Sequence, residues 1–119
     1  MSDRSGVLVV DDDPAILATV AEYLDLEGVP VETAANGREA LSKVDGSPPA
    51  VVLLDMRMPV MDGWSFVDEL RRRGYDVPIL VMTAAHDATD WAEEIGAVGC
   101  VAKPFEINDL LEAVQRLLP

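Results

Sequence analysis

Val51-Val52-Leu53-Leu54-Asp55-Met56-Arg57-Met58-Pro59-Val60-Met61-Asp62-Gly63 is the stretch on which the reading of the whole chain turns. Its first four residues are apolar at every position, so both faces of a strand built from them need cover. A strand flanked by helices on both sides of a parallel sheet meets that need. The apolar run stops at Asp55, and a loop rich in Met and Pro carries the chain to a helix that begins at Asp62 or Gly63 and extends to Arg73. Phe66, Val67 and Leu70 recur at helical spacing as its inward face, and Gly74 ends it.

The same unit recurs outward in both directions. Upstream, Val7-Leu8-Val9-Val10 is followed by Asp13 as an N-cap and Pro14 at the first helical position. That helix reaches Glu27 before Gly28, with Ile16, Val20, Ala21 and Leu24 on one face. A second strand, Val31 to Ala34, leads to Asn36 with Glu39 three residues later, a capping-box-like start to a short helix around Ala40, Leu41 and Val44. Downstream, Pro78 opens a strand from Ile79 to Met82, with Thr83 directly after it. A short helix follows near Ala88 to Ile95, then a small strand from Gly99 to Ala102 that ends at Lys103. A last helix spans about Ile107 to Leu118. Five βα units in a row predict an α/β fold with a parallel sheet.

The chain has 119 residues, a size suited to one domain over 1–119, with residues 1–5 a loose polar tail. Half of the residues are hydrophobic but only 5% are aromatic, so aliphatic side chains and Met must fill the core. The net charge of −13 opposes binding to nucleic acid or to an anionic membrane. Cys100 is the single cysteine and can form neither an internal disulfide nor a cysteine-based zinc site; its simplest role is that of a small buried residue. His86, the single histidine, sits between Ala85 and Asp87 in a polar connection, away from any nucleophile. No apolar run is long enough to span a bilayer, and the short polar N-terminus is no leader, so a cytoplasmic location is expected.

Chemistry concentrates at the strand ends. Asp11 and Asp12 close the first strand, Asp55 the third, Thr83 the fourth and Lys103 the fifth. Open parallel sheets bind ligands beyond the carboxyl ends of their strands, where the strand order reverses. Three carboxylates gathered there repel one another unless a cation compensates, and an all-oxygen set suits Mg2+, with Mn2+ as a substitute. Lys103 adds a point charge for a phosphate.

These residues carry a family resemblance along essentially the whole chain. Val9-Val10-Asp11-Asp12-Asp13-Pro14, Leu54-Asp55-Met56-Arg57-Met58-Pro59-Val60-Met61-Asp62-Gly63, Met82-Thr83-Ala84 and Lys103-Pro104-Phe105 together resemble the receiver domain of two-component response regulators. The resemblance implies a flavodoxin-like (βα)5 fold, a doubly wound five-stranded sheet in the order 2-1-3-4-5. It implies that Asp55 accepts a phosphoryl group from a sensor histidine kinase or a histidine phosphotransfer protein. Asp12 and Asp55 would bind Mg2+ directly, Asp11 through a water, and the backbone carbonyl of Arg57 would be a further ligand. Lys103 and Thr83 would contact phosphoryl oxygens, and the Lys103-Pro104 bond would be cis. Such a protein promotes its own phosphorylation and dephosphorylation without being a turnover enzyme. Its output would be a downstream protein partner or a homodimer, reached through the face of helix four, strand five and helix five.

The chain departs from the family in one respect: Cys100 occupies the place, three residues before the lysine, of an aromatic side chain that normally turns inward when the threonine moves. Arg57 and Ala85 hold the two positions that tune phosphoryl lifetime, where Arg57 would shield or pair with the acyl phosphate. Trp64 and Trp91 are expected as core or partly covered surface. The last helix, ending Leu117-Leu118-Pro119, carries no sign of an output domain, which favours a stand-alone receiver, although the excised input domain of a larger regulator would look identical. The alternatives are an aspartate-nucleophile, Mg-dependent phosphatase of the dehalogenase-like kind and a receiver-like module that is never phosphorylated. The first wants a second Asp where Arg57 stands; the intact set of Asp12, Asp55, Thr83 and Lys103 argues against the second.

Overall fold

The computed structural model describes residues 6–83 and 88–118, Ala88 by its backbone alone. The expected tail at residues 1–5, Ala85 and His86 lie outside the described residues. The elements are β1 (Val7–Val10), α1 (Pro14–Leu26), β2 (Val31–Ala34), α2 (Gly37–Gly46), β3 (Val51–Leu54), α3 (Gly63–Arg72), β4 (Ile79–Thr83), α4 (Ala88–Ile95), β5 (Gly99–Ala102) and α5 (Ile107–Gln115). The five strands are parallel and lie in the order β2-β1-β3-β4-β5, as expected.

The apolar runs divide by alternation. Leu8, Val10, Val52, Leu54, Ile79 and Val81 point to one side of the sheet, where they meet Ala40, Leu41 and Val44 of α2, Phe66, Val67 and Leu70 of α3, and Trp91 and Ala92 of α4. Val7, Val9, Val51, Leu53, Leu80 and Met82 point to the other, against Val20 and Leu24 of α1 and Leu110, Leu111 and Val114 of α5. A period of two in the strands and of 3.6 in the helices thus builds two cores on one sheet. Every residue of β1, β3 and β4 is buried, which is why those segments read as uninterrupted apolar runs.

The caps read from sequence are present. Asp13, Asn36 and Asp62 accept from the backbone N–H groups of Ala15, Glu39 and Ser65 at 2.9, 2.9 and 2.8 Å. Four boundaries differ. α3 stops at Arg72, with Arg73 as its C-cap. Thr83 is the last residue of β4, paired with Ala102 of β5, instead of lying just beyond the strand. α1 stops at Leu26, with Glu27 as its C-cap. α5 stops at Gln115, because the Leu117 N–H bonds to Val114 O and tightens the last turn, while Leu117 and Leu118 still pack on the α1–α5 core. Among the described residues no helix is long and apolar enough to cross a membrane.

Candidate phosphoacceptor and metal centre

The sheet order makes β1 and β3 neighbours although β2 lies between them in sequence, and the chain reverses its direction of growth at that pair. The residues one step past the strand ends are held by continuation of the ladder. The Asp11 N–H donates to Ala34 O at 3.1 Å, the Asp55 N–H to Val10 O at 2.9 Å and the Lys103 N–H to Thr83 O at 2.9 Å. Backbone bonds therefore fix the roots of all three side chains before any side-chain contact forms.

Their polar ends meet. Lys103 Nζ donates to Asp11 Oδ2 at 2.6 Å and to Asp55 Oδ2 at 3.3 Å. Asp11 Oδ1 accepts from the Asp13 N–H at 2.9 Å, and Asp55 Oδ1 from the Arg57 N–H at 3.3 Å. Asp11 is fully buried, Asp55 nearly so, and Asp12 is exposed at the mouth. Oxygen atoms of Asp11, Asp12 and Asp55 lie within 4.8 Å of one another. Thr83 is buried at the end of β4.

Burial holds the Asp55 carboxyl above the ordinary carboxylate range; Lys103 pulls it back, and the charge of Asp11 adds to the rise. Burial opposes the charge on Lys103, but its hydrogen bond to Asp11 and the two carboxylates more than offset this, so the ammonium is held above the usual lysine range. Three carboxylates against one ammonium leave surplus negative charge in a cleft whose donors are all oxygen. A hard divalent cation that keeps part of its water shell fits that set.

The loop from Met56 to Asp62 is pinned from both ends. Met56 is wholly buried under α3, and a Cβ on Gly63 would lie 2.6 Å from Met56 Sδ and 2.7 Å from its Cα. A Cβ on Gly37 would lie 2.9 Å from Met61 O. The two glycines let α2 and α3 close on the loop, and the Asp62-Gly63 pair is thus a cap followed by a close approach. Between them the Met61 N–H bonds to Pro59 O at 2.7 Å, with Val60 at φ 69°. The Lys103-Pro104 bond is cis.

Several sequence expectations shift in detail. Lys103, expected to face a phosphate, is engaged by two carboxylates. Cys100 is half-buried instead of buried, with Sγ 3.7 Å from Thr89 Oγ1. It lies on edge strand β5, where α4 covers it only in part. Trp91 is buried and Trp64 partly covered, in an edge-to-face pair with centroids 4.9 Å apart. The Arg57 guanidinium lies over the Trp91 ring, 5.1 Å from its centroid. The sequence gives no sign of that contact, since no spacing rule links a loop residue to a helix so far along the chain.

A family model for the response regulator receiver domain matches residues 7–115. The transcriptional regulatory protein PrrA of Mycobacterium tuberculosis is 41% identical over 114 residues, which cover 94% of this chain and 49% of PrrA. The response regulator MprA of Mycolicibacterium vanbaalenii is 39% identical, with 94% and 49% covered. The chain thus spans about half the length of these curated relatives. The structure of the chemotaxis protein CheY4 from Vibrio cholerae superposes with a TM-score of 0.87 at 38% identity, covering 98% of this chain and 100% of that one. Response regulator TrrA from Thermotoga maritima, solved in complex with Mg(2+)-BeF, gives 0.84 at 36% identity, with 96% and 99% covered. With the strand order, the acidic cleft and the match over residues 7–115 in agreement, the chain belongs to the response regulator receiver domain family of two-component systems.

Proposed function

We propose that the chain, read as one receiver domain over 1–119, is phosphorylated on Asp55 in a Mg2+-dependent reaction and thereby switches a partner-binding face. The observation that carries this reading is the joint placement of Asp11, Asp12, Asp55 and Lys103 in one cleft at the β1–β3 reversal. Asp12 and Asp55 would hold the metal directly, Asp11 through a water, and the Arg57 backbone carbonyl would be a fourth oxygen. When bound, Mg2+ or Mn2+ supplies compensation for charge on the phosphoryl oxygens.

The protein's own groups do the rest. An Asp55 carboxylate oxygen attacks phosphorus, a P–O bond forms, and the P–N bond to the donor histidine breaks with its electron pair left on the imidazole. Lys103, already 3.3 Å from Asp55, orients the carboxylate and neutralises an incoming phosphoryl oxygen. The Thr83 hydroxyl contacts another such oxygen. Reversal by water returns Asp55 to a carboxylate, so the protein assists its own modification without turning over a substrate.

The donor is a sensor histidine kinase or a histidine phosphotransfer protein. Output goes to a protein partner or a second copy through the face of α4, β5 and α5. The acidic surface does not bind nucleic acid, and a cytoplasmic setting fits these partners.

Incubation with Mg2+ and acetyl phosphate, read by intact mass, tests the reading. One added phosphoryl group is expected in the wild type, and none in Asp55→Asn or without divalent metal. Repeated hydrolysis of phosphate esters would instead mark a phosphatase.

A further inference from the structure

The family's aromatic partner for the threonine is replaced by Cys100, yet two tryptophans stand beside the site. The Arg57 guanidinium covers the Trp91 indole at 5.1 Å, and Trp64 meets the same ring edge-to-face at 4.9 Å. The stack joins the loop after Asp55, helix α3 and helix α4. Among the described residues, α4 buries only Trp91 and Ala92, with Ile95 half-covered, so the indole is its main anchor on the core. Elements with so few buried contacts open most easily.

Arg57 is tied to the reacting carboxylate through its own backbone, since its N–H donates to Asp55 Oδ1 at 3.3 Å. The residue is exposed, so no buried side chain stands in the way of its guanidinium. A phosphoryl group on Asp55 adds oxygens that accept charge-assisted, bidentate hydrogen bonds from a guanidinium. Such bonds are stronger than an exposed cation–π contact.

Resting on the Asp55 reading above, we propose that the Arg57 side chain is the relay between site and output: phosphorylation draws the guanidinium off the Trp91 ring and so loosens α4. The stack does here what an inward-turning aromatic residue at position 100 would do, and Cys100 is free to be small because nothing needs to rotate there. The surface released is the partner-facing side of α4, which carries Asp90, Glu93 and Glu94 and no basic residue.

The two tryptophans are the whole indole content of the chain, so emission excited at 295 nm reports on this stack alone. The experiment treats wild type, Arg57→Ala and Trp91→Leu with Mg2+ and acetyl phosphate. It measures adduct by intact mass, emission per adduct, and hydrogen exchange of the amides of residues 88–95. Wild type should change emission on phosphorylation, and its α4 amides should exchange about two- to five-fold faster, the equivalent of one exposed cation–π contact. Arg57→Ala should show the fast exchange before phosphorylation and no further change per adduct. Trp91→Leu, with the guanidinium's ring removed, should likewise show no phosphorylation-dependent change in α4. Adduct in wild type without a change in emission or exchange overturns the relay and leaves the Asp55 reading intact. So does an undiminished response in either variant. No wild-type adduct with any donor overturns the Asp55 reading, and the relay with it.

Discussion

Lys103 Nζ lies 2.6 Å from Asp11 Oδ2, an ion pair between residues 92 positions apart whose acidic member is fully buried. Asp55 receives the same ammonium at 3.3 Å, so one cation serves two carboxylates. The site is therefore built with negative charge in surplus, and its response to mutation and to metal follows.

Lys103→Met removes the ammonium that Asp11 and Asp55 share and leaves Asp11 buried without its cation. A loss of about 3 kcal/mol is expected in metal-free buffer, the usual cost of breaking a buried pair from one side. Mg2+ should recover part of it. Urea unfolding with EDTA and with Mg2+ checks both; a loss below about 0.5 kcal/mol would show that the pair is not a structural one.

Asp55→Asn should raise the stability of the metal-free protein at neutral pH. Burial raises the folded pKa of Asp55, so the folded state keeps its proton at pH values where the unfolded chain, near the ordinary 3.8, has lost it. The Asp55 contribution to wild-type stability therefore falls as pH climbs from 3.8 through the raised folded value, and the penalty is largest above it. The amide removes it. Thermal melts in EDTA should show Tm higher by roughly 4 °C per kcal/mol released, with the difference fading as the pH drops towards 3. An unchanged or lower Tm at pH 7 would contradict this.

Asp12 is exposed at the mouth of the cleft, and Asp12→Asn should leave metal-free stability within about 0.5 kcal/mol of wild type. Titrating Mg2+ into wild type should raise Tm progressively, as binding to the folded state alone requires. The variant should need markedly more Mg2+ for the same rise. Coincident Mg2+ curves for the two proteins would remove Asp12 from the ligand set.

Gly63→Ala places a methyl 2.6 Å from Met56 Sδ and 2.7 Å from Met56 Cα, where backbone cannot yield cheaply. A loss of about 1–3 kcal/mol is expected, as for other overpacked sites. The rate of phosphoryl uptake should fall too, because the displaced segment adjoins Asp55. Unfolding curves and the time course of the mass adduct measure the two effects separately.

The fold was legible because its signals are local. Val51-Val52-Leu53-Leu54 announces a doubly covered strand, and Asp13, Asn36 and Asp62 each announce a helix by capping it. The clustering of Asp11, Asp12 and Asp55 was also legible, since residues that end neighbouring parallel strands must gather at one edge. The Arg57–Trp91 stack was not, nor the half-exposure of Cys100. Each depends on how two elements sit against one another, which no residue spacing encodes.

Sequence by itself determined the elements, their order along the chain and the chemical character of the cleft. Periodicity, caps and charge are properties of a few consecutive residues. Only the tertiary structure decided that Lys103 pairs with Asp11 as well as Asp55, and that Arg57 covers Trp91. A long cationic side chain has several acidic or aromatic partners within reach. The sheet register, the helix packing and the burial of Asp11 select among them, because the partner most removed from water has most to lose by going unpaired.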